Sequence, residues 1–146
     1  MREINQIHVH HTYKPDYSDF NGSNHKRIFN GIKYYHKKVN GWRDIAYHNL
    51  VFPDGKVMDG RQIELKPASA INHNYGTIAV CMIGNFDHDT LTDIQYTQTL
   101  KLIRKYMVEF NIPIERIFFH NEFASKSCPG SGIKKEEFLS GLDLML

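Results

Sequence analysis

Between Phe118 and Gly130 the chain reads FFHNEFASKSCPG, which sets His120, Glu122, Lys126 and Cys128 within nine positions and closes on a Pro-Gly turn. Imidazole and thiolate are zinc ligands, and a catalytic zinc takes three protein ligands while a fourth position stays open. His120 lies eight residues before Cys128, a spacing that no single helical turn supplies, so NEFASKS must fold back to join them. On spacing alone two other readings stay open. The two side chains are separately satisfied, or Cys128 is a nucleophile with His120 as its base. The second needs an activated thiolate, commonly at a helix N-terminus, and Pro129 directly after the cysteine suits that geometry poorly.

Positioning such a group requires strands that end on histidine. In INQIHVHH, Ile7 and Val9 share one face of a strand, and His8 and His10 share the other. ERIFFHN is a second short strand that runs into the opening stretch. Ile28, Ile32, Tyr35 and Val39 recur at helical spacing, and Asn40-Gly41 supplies a stop. Pro53-Asp54-Gly55 marks a hairpin turn, and Thr77 to Gly84 form an apolar, β-branched run suited to a central strand. Thr92-Asp93-Ile94-Gln95 reads as a capping box, with the hydroxyl and the Gln side chain satisfying each other's free backbone donors. The helix it opens extends to Asn111 and Pro113, and a last helix covers Lys134 to Leu146. Strands interleaved with helices predict an α/β fold, a central mixed sheet flanked by helices, with the site at strand ends.

Composition narrows the function classes. The 146 residues are 41% hydrophobic and 23% charged, enough for one domain over residues 1–146 and too ordered in pattern for disorder. A net charge of +2, with basic residues scattered apart from His36-Lys37-Lys38 and Lys134-Lys135, argues against a nucleic-acid partner, and those runs read as solvated helix faces. No segment approaches the ~18 apolar residues of a membrane span, and MREINQIHVHH lacks a signal peptide's apolar core. The expectation is a monomer made and kept in the cytosol until something releases it. Of two cysteines, Cys81 lies in TIAVCMIGNF and reads as a small buried hydrophobe.

Four blocks in register carry a resemblance: IHVHHTY, GWRDIAYHNLVFPDGKVMDGR, HNYGTIAVCMIGNFD and HNEFASKSCPG. Together they resemble the zinc-dependent N-acetylmuramoyl-L-alanine amidases, a family that includes T7-type lysozymes and peptidoglycan recognition proteins. The resemblance implies Zn2+ held by His10, His120 and Cys128, with His11 on the opposite face of its strand. It implies catalytic roles for Tyr47 and Lys126, and leaves Glu122 either orienting the loop or solvated. The implied reaction is hydrolysis of the amide between N-acetylmuramic acid and L-alanine in peptidoglycan, by a phage-type endolysin or autolysin acting on the cell wall after release. The alternative is a peptidoglycan-binding module without hydrolysis. One departure is PASA, where Ser69 stands in place of a histidine common in the family, with His73 near enough to substitute or else on the surface. His8 is a candidate to support the metal from behind, His48 should be structural if Tyr47 faces the cleft, and His25, His36 and His88 need no special role.

Overall fold

The alternation in the first strand decides how the molecule is layered. In a computed structural model that describes residues 1–145, Ile7 and Val9 enter one apolar core with Ile78, Val80 and Met82, while His8 and His10 point to the other face. The elements in chain order are β1 (Gln6–His11), α1 (His25–Tyr34), β2 (Asn49–Val51), β3 (Val57–Asp59), β4 (Thr77–Met82), α2 (Asp93–Glu109), β5 (Ile117–Phe119) and α3 (Lys135–Ser140). The sheet order is β3-β2-β4-β1-β5, parallel except for the antiparallel β2–β3 hairpin. This is the mixed sheet that the sequence predicted. Every residue of β1 and β4 is buried, because helices cover both faces of the sheet centre.

One face packs on α2 and α3 through Leu100, Ile103 and Phe138, and the other packs on α1 through Ile28 and Ile32 against Leu50 and Cys81. Cys81 is fully buried, as a small hydrophobe should be. The hairpin turns at Gly55, whose φ of +89° excludes most side chains and whose N–H donates to the Phe52 carbonyl at 2.8 Å. His48 is buried and structural: its Nδ1 accepts the Ala79 N–H at 3.0 Å, and Nε2 lies 2.7 Å from the Leu65 carbonyl. Among the described residues no helix is long and apolar enough to cross a membrane.

Three local expectations are corrected. The first helix does reach Asn40, but its last turn, Tyr35–Val39, widens to π geometry, closed by Asn40 N–H donating to the Tyr35 carbonyl at 3.0 Å. The final helix breaks at Gly141, where a 3-10 turn, Gly141–Met145, takes over; Leu146 lies outside the described residues. The Tyr96 hydroxyl donates to the Phe138 carbonyl at 2.6 Å, which satisfies the acceptor that the next α-turn would have used. Thr92 does cap α2, accepting the Gln95 N–H at 3.2 Å, but Gln95 does not return the bond. Its side chain is buried and donates at 2.9 Å to both the Val51 and Ile83 carbonyls, while the Tyr17 hydroxyl donates to its Oε1. Gln95 thus ties α2 to the ends of β2 and β4.

Removing those ties leaves the Ile83 carbonyl unpaired, takes one of two donors from the Val51 carbonyl, which keeps the Ile83 N–H at 2.9 Å, and removes the acceptor of the Tyr17 hydroxyl. Gln95→Ala is expected to cost about 3 kcal/mol in urea unfolding, against about 1 kcal/mol for Thr92→Ala. A larger loss for the threonine would assign the side chain of Gln95 to capping after all.

Candidate metal centre and cleft

Parallel pairing of β1 with β5 matches Val9 to Phe119, so the next residues along, His10 and His120, emerge side by side at the carboxyl ends of their strands. Their ring centroids are 4.8 Å apart. Cys128 arrives from the folded-back loop: its carbonyl accepts the Asn121 N–H at 2.8 Å, and its Sγ accepts the His11 N–H at 3.4 Å. One ligand atom from each of His10, His120 and Cys128 lies within 4.8 Å of the others, with His10 Nδ1 3.6 Å from Cys128 Sγ. His10 and Cys128 are buried and His120 is half-buried, so the group is open on one side only. Such a donor set can hold a metal ion.

The loop is held by contacts that the sequence did not advertise. Asp87, after β4, accepts from the Ser127 hydroxyl at 2.9 Å and the Ser131 N–H at 2.8 Å, bracketing the cysteine from both sides. Gly130, at φ +125°, sits against Phe86, where an added Cβ would approach the Phe86 Cβ to 2.5 Å. Glu122 accepts the Phe119 N–H at 2.6 Å and pairs with Lys135 at 2.8 Å. Of its two readings, the carboxylate orients the loop.

Burial dominates the electrostatics. It holds His10 well below the ordinary imidazole value and lowers His120 too, with the Lys126 charge pushing both in the same direction. Both rings are therefore neutral at working pH, the state a metal requires. Burial pushes the Cys128 thiol up to about 12, against the opposing pull of the His11 N–H and Lys126. A thiol in that environment is a poor unaided nucleophile and ionises when a cation is beside it, which weighs against the nucleophile reading. The Tyr47 phenol is likewise pushed well above its ordinary value by burial, then by the Cys81 and Cys128 thiols, so it keeps its proton.

Tyr47 packs its ring 5.3 Å from that of His10, and Lys126 is exposed on the rim of a cleft of about 540 Å³ that also includes Trp42, Ser69, His73, His120 and Phe123. Of the five residues singled out in the sequence, His120 and Lys126 line this cleft, and His10, Cys128 and Tyr47 are joined to His120 through the donor cluster and the ring contact of His10 with Tyr47. His73 is no stray surface residue, because it stacks on Phe123 at 4.1 Å and lines this cleft beside Ser69. His8 is fully buried, tilted against Phe123 at 4.8 Å and 6.3 Å from His10. His11 points away, as its alternation requires, and accepts the Phe86 N–H at 3.1 Å. His36 corrects the expectation that it has no role: Nδ1 accepts the Ala46 N–H at 3.0 Å, and the ring packs 5.7 Å from Tyr47 and 5.0 Å from Trp42. Its place before the NGW stop gave no hint of that bond, since the contact spans ten residues.

Comparison with known proteins agrees with this geometry. A family model described as N-acetylmuramoyl-L-alanine amidase matches residues 1–131. The chain is 34% identical over 106 residues to peptidoglycan-recognition protein SC2 of Drosophila melanogaster, covering 72% of this chain and 58% of that one. It is 30% identical over 107 residues to the endolysin of Escherichia phage T7, covering 71% of this chain and 70% of that one. In three dimensions it resembles the N-acetylmuramoyl-L-alanine amidase LysC from Clostridium intestinale, with a TM-score of 0.81 at 28% identity over 97% of this chain and 87% of that one. A match of that extent, on a chain whose two strand-end histidines and returning cysteine converge as described, makes this protein a member of the N-acetylmuramoyl-L-alanine amidase family.

Proposed function

We propose that this protein is a zinc-dependent amidase that cleaves the amide between the lactyl group of N-acetylmuramic acid and L-alanine in peptidoglycan, working as an endolysin-type enzyme on the bacterial wall. The observation that carries the reading is the His10–His120–Cys128 group. Tetrahedral zinc with nitrogen at about 2.0 Å and sulfur at about 2.3 Å would need those two atoms about 3.5 Å apart, close to the 3.6 Å between His10 Nδ1 and Cys128 Sγ. Two neutral imidazoles and one thiolate also suit zinc chemically, and they leave room for a fourth ligand. Zinc bound there lowers the pKa of a coordinated water to about 7 and polarises the scissile carbonyl.

The chain's own residues supply the rest. Attack on an amide puts negative charge on the carbonyl oxygen, and a donor preset toward that oxygen stabilises it. Tyr47, kept protonated by burial and packed against His10, offers an O–H beside the donor group. Lys126 offers a mobile positive charge at the rim. His36 holds the backbone at Ala46, directly before Tyr47, and packs on the tyrosine ring, so it positions the donor. Walls of Trp42, Phe123 and His73 give the cleft flat faces suited to a sugar and a short peptide.

A non-hydrolytic recognition module is the second reading, favoured by the 34% identity to a recognition protein. The two separate on purified cell walls. The amidase should release new N-terminal alanine, lose that activity with a chelator and regain it with added zinc; walls that bind the protein without any new amino terminus would establish the module. Lys126→Ala and Tyr47→Phe are each expected to lower kcat by about 10²–10³ while bound zinc stays stoichiometric, whereas Cys128→Ser should lose the metal itself. Unchanged turnover in both the lysine and tyrosine variants would remove them from the catalytic step.

A further inference from the structure

The mild net charge hides a segregation. Six of the 18 Lys and Arg residues, and none of the 16 Asp and Glu residues, fall between His25 and Arg43, so this segment carries +6 and the other 127 residues carry −4. The segment is α1, its π turn and the NGW loop, and its cations are exposed except for half-buried Lys33. Only Lys33 has a carboxylate partner among the described residues, Asp44 at 3.8 Å. Lys26, Lys33 and Lys37, spaced seven and four residues apart, form one stripe along about 17 Å of helix. That stripe lies opposite Ile28 and Ile32, which are buried in the core. Tyr34, Tyr35, Val39 and Trp42 are exposed alongside.

Helix stability does not account for this pattern. Lys37 and Lys38 in the last turn suit the helix dipole, but Lys26 and Arg27 sit in the first turn, where cations oppose it. That turn has no acidic residue, and Asn24 makes no side-chain capping bond. Lys33 and Lys37, four apart, repel each other. The charge is placed at some cost to the helix, and a polyanion is the partner it complements. The surface is also continuous with the cleft. Arg27 and His36 line a groove of about 880 Å³ beside α1, His36 packs on Trp42, and Trp42 lines the cleft that contains His120.

We propose that the outer face of α1 docks the phosphodiester polymer of the bacterial wall, holding the enzyme on its substrate mesh; this rests on the amidase reading above. A membrane surface fits less well, since the helix's main apolar stripe is already buried in the core. Duplex DNA fits less well because a single strip about 17 Å long is backed by a body of charge −4.

The test uses purified poly(glycerol phosphate) as the probe and a Lys26→Gln/Lys37→Gln/Lys38→Gln variant, none of which lines the cleft or the groove. Wild type should bind the polymer in a salt-dependent way, and the variant should bind at least 10-fold more weakly. Its log K against log salt slope should be smaller by about 2, because three fewer cations neutralise phosphates of a flexible strand. Cleavage of a soluble muropeptide and the urea midpoint should match wild type. Equal polymer binding by the two proteins, or displacement of the polymer by duplex DNA at lower phosphate concentration, would overturn the docking surface. If neither protein cuts the soluble muropeptide, the amidase reading falls instead, whatever the polymer result.

Discussion

The site depends on the register of two parallel strands. Because β1 and β5 pair with Val9 opposite Phe119, the residues that follow, His10 and His120, are delivered as neighbours at the same end of the sheet. A slip of one residue along β1 would move His10 to the core face and bring His11, or an apolar residue, to the cleft. The alternation that buries Ile7 and Val9 under α2 therefore does two things at once. It fills the core and it aims the imidazoles.

The third donor has no strand to place it, and its position comes from side-chain and backbone contacts instead. Asp87 brackets Cys128 through Ser127 and Ser131, Glu122 ties the loop to Phe119, and Gly130 lets the chain press on Phe86. These contacts hold a thiol where burial opposes its ionisation, so forming a thiolate there would be coupled to the binding of any cation beside it. The same low-polarity wall keeps Tyr47 protonated and both histidines neutral. One environment thus favours the uncharged form of all four side chains.

On the far side of the cleft, α1 contributes a buried stripe to the core, and with its π turn it supplies an imidazole beside Tyr47 and a row of cations to solvent. His36 joins the first two roles, since its bond to Ala46 N–H anchors the approach to Tyr47. The π turn in which it sits departs from regular helix at the point where the chain must turn toward the site.

Much of this was legible in the sequence. Alternation marked β1, a turn sequence marked the β2–β3 hairpin, an apolar β-branched run marked β4 and helical spacing marked the two longer helices; His120 and Cys128 stood out by donor type and spacing, whereas His10, Tyr47 and Lys126 could be named as site residues only through the family resemblance. Contacts between distant segments were not legible. Gln95 looked like half of a capping box, yet two carbonyls, on Val51 and Ile83, claim its amide. His36 looked idle, Asp87 drew no notice, and His73 looked superficial, because each takes its role from a partner that the fold supplies. The sequence by itself determined which candidate donor types are present, the strands that end on histidine and the resemblance to the family. Only the tertiary structure decided which strand ends lie side by side, how Cys128 returns to His10 and which polar groups are buried, since those outcomes depend on register and packing across more than a hundred residues of chain.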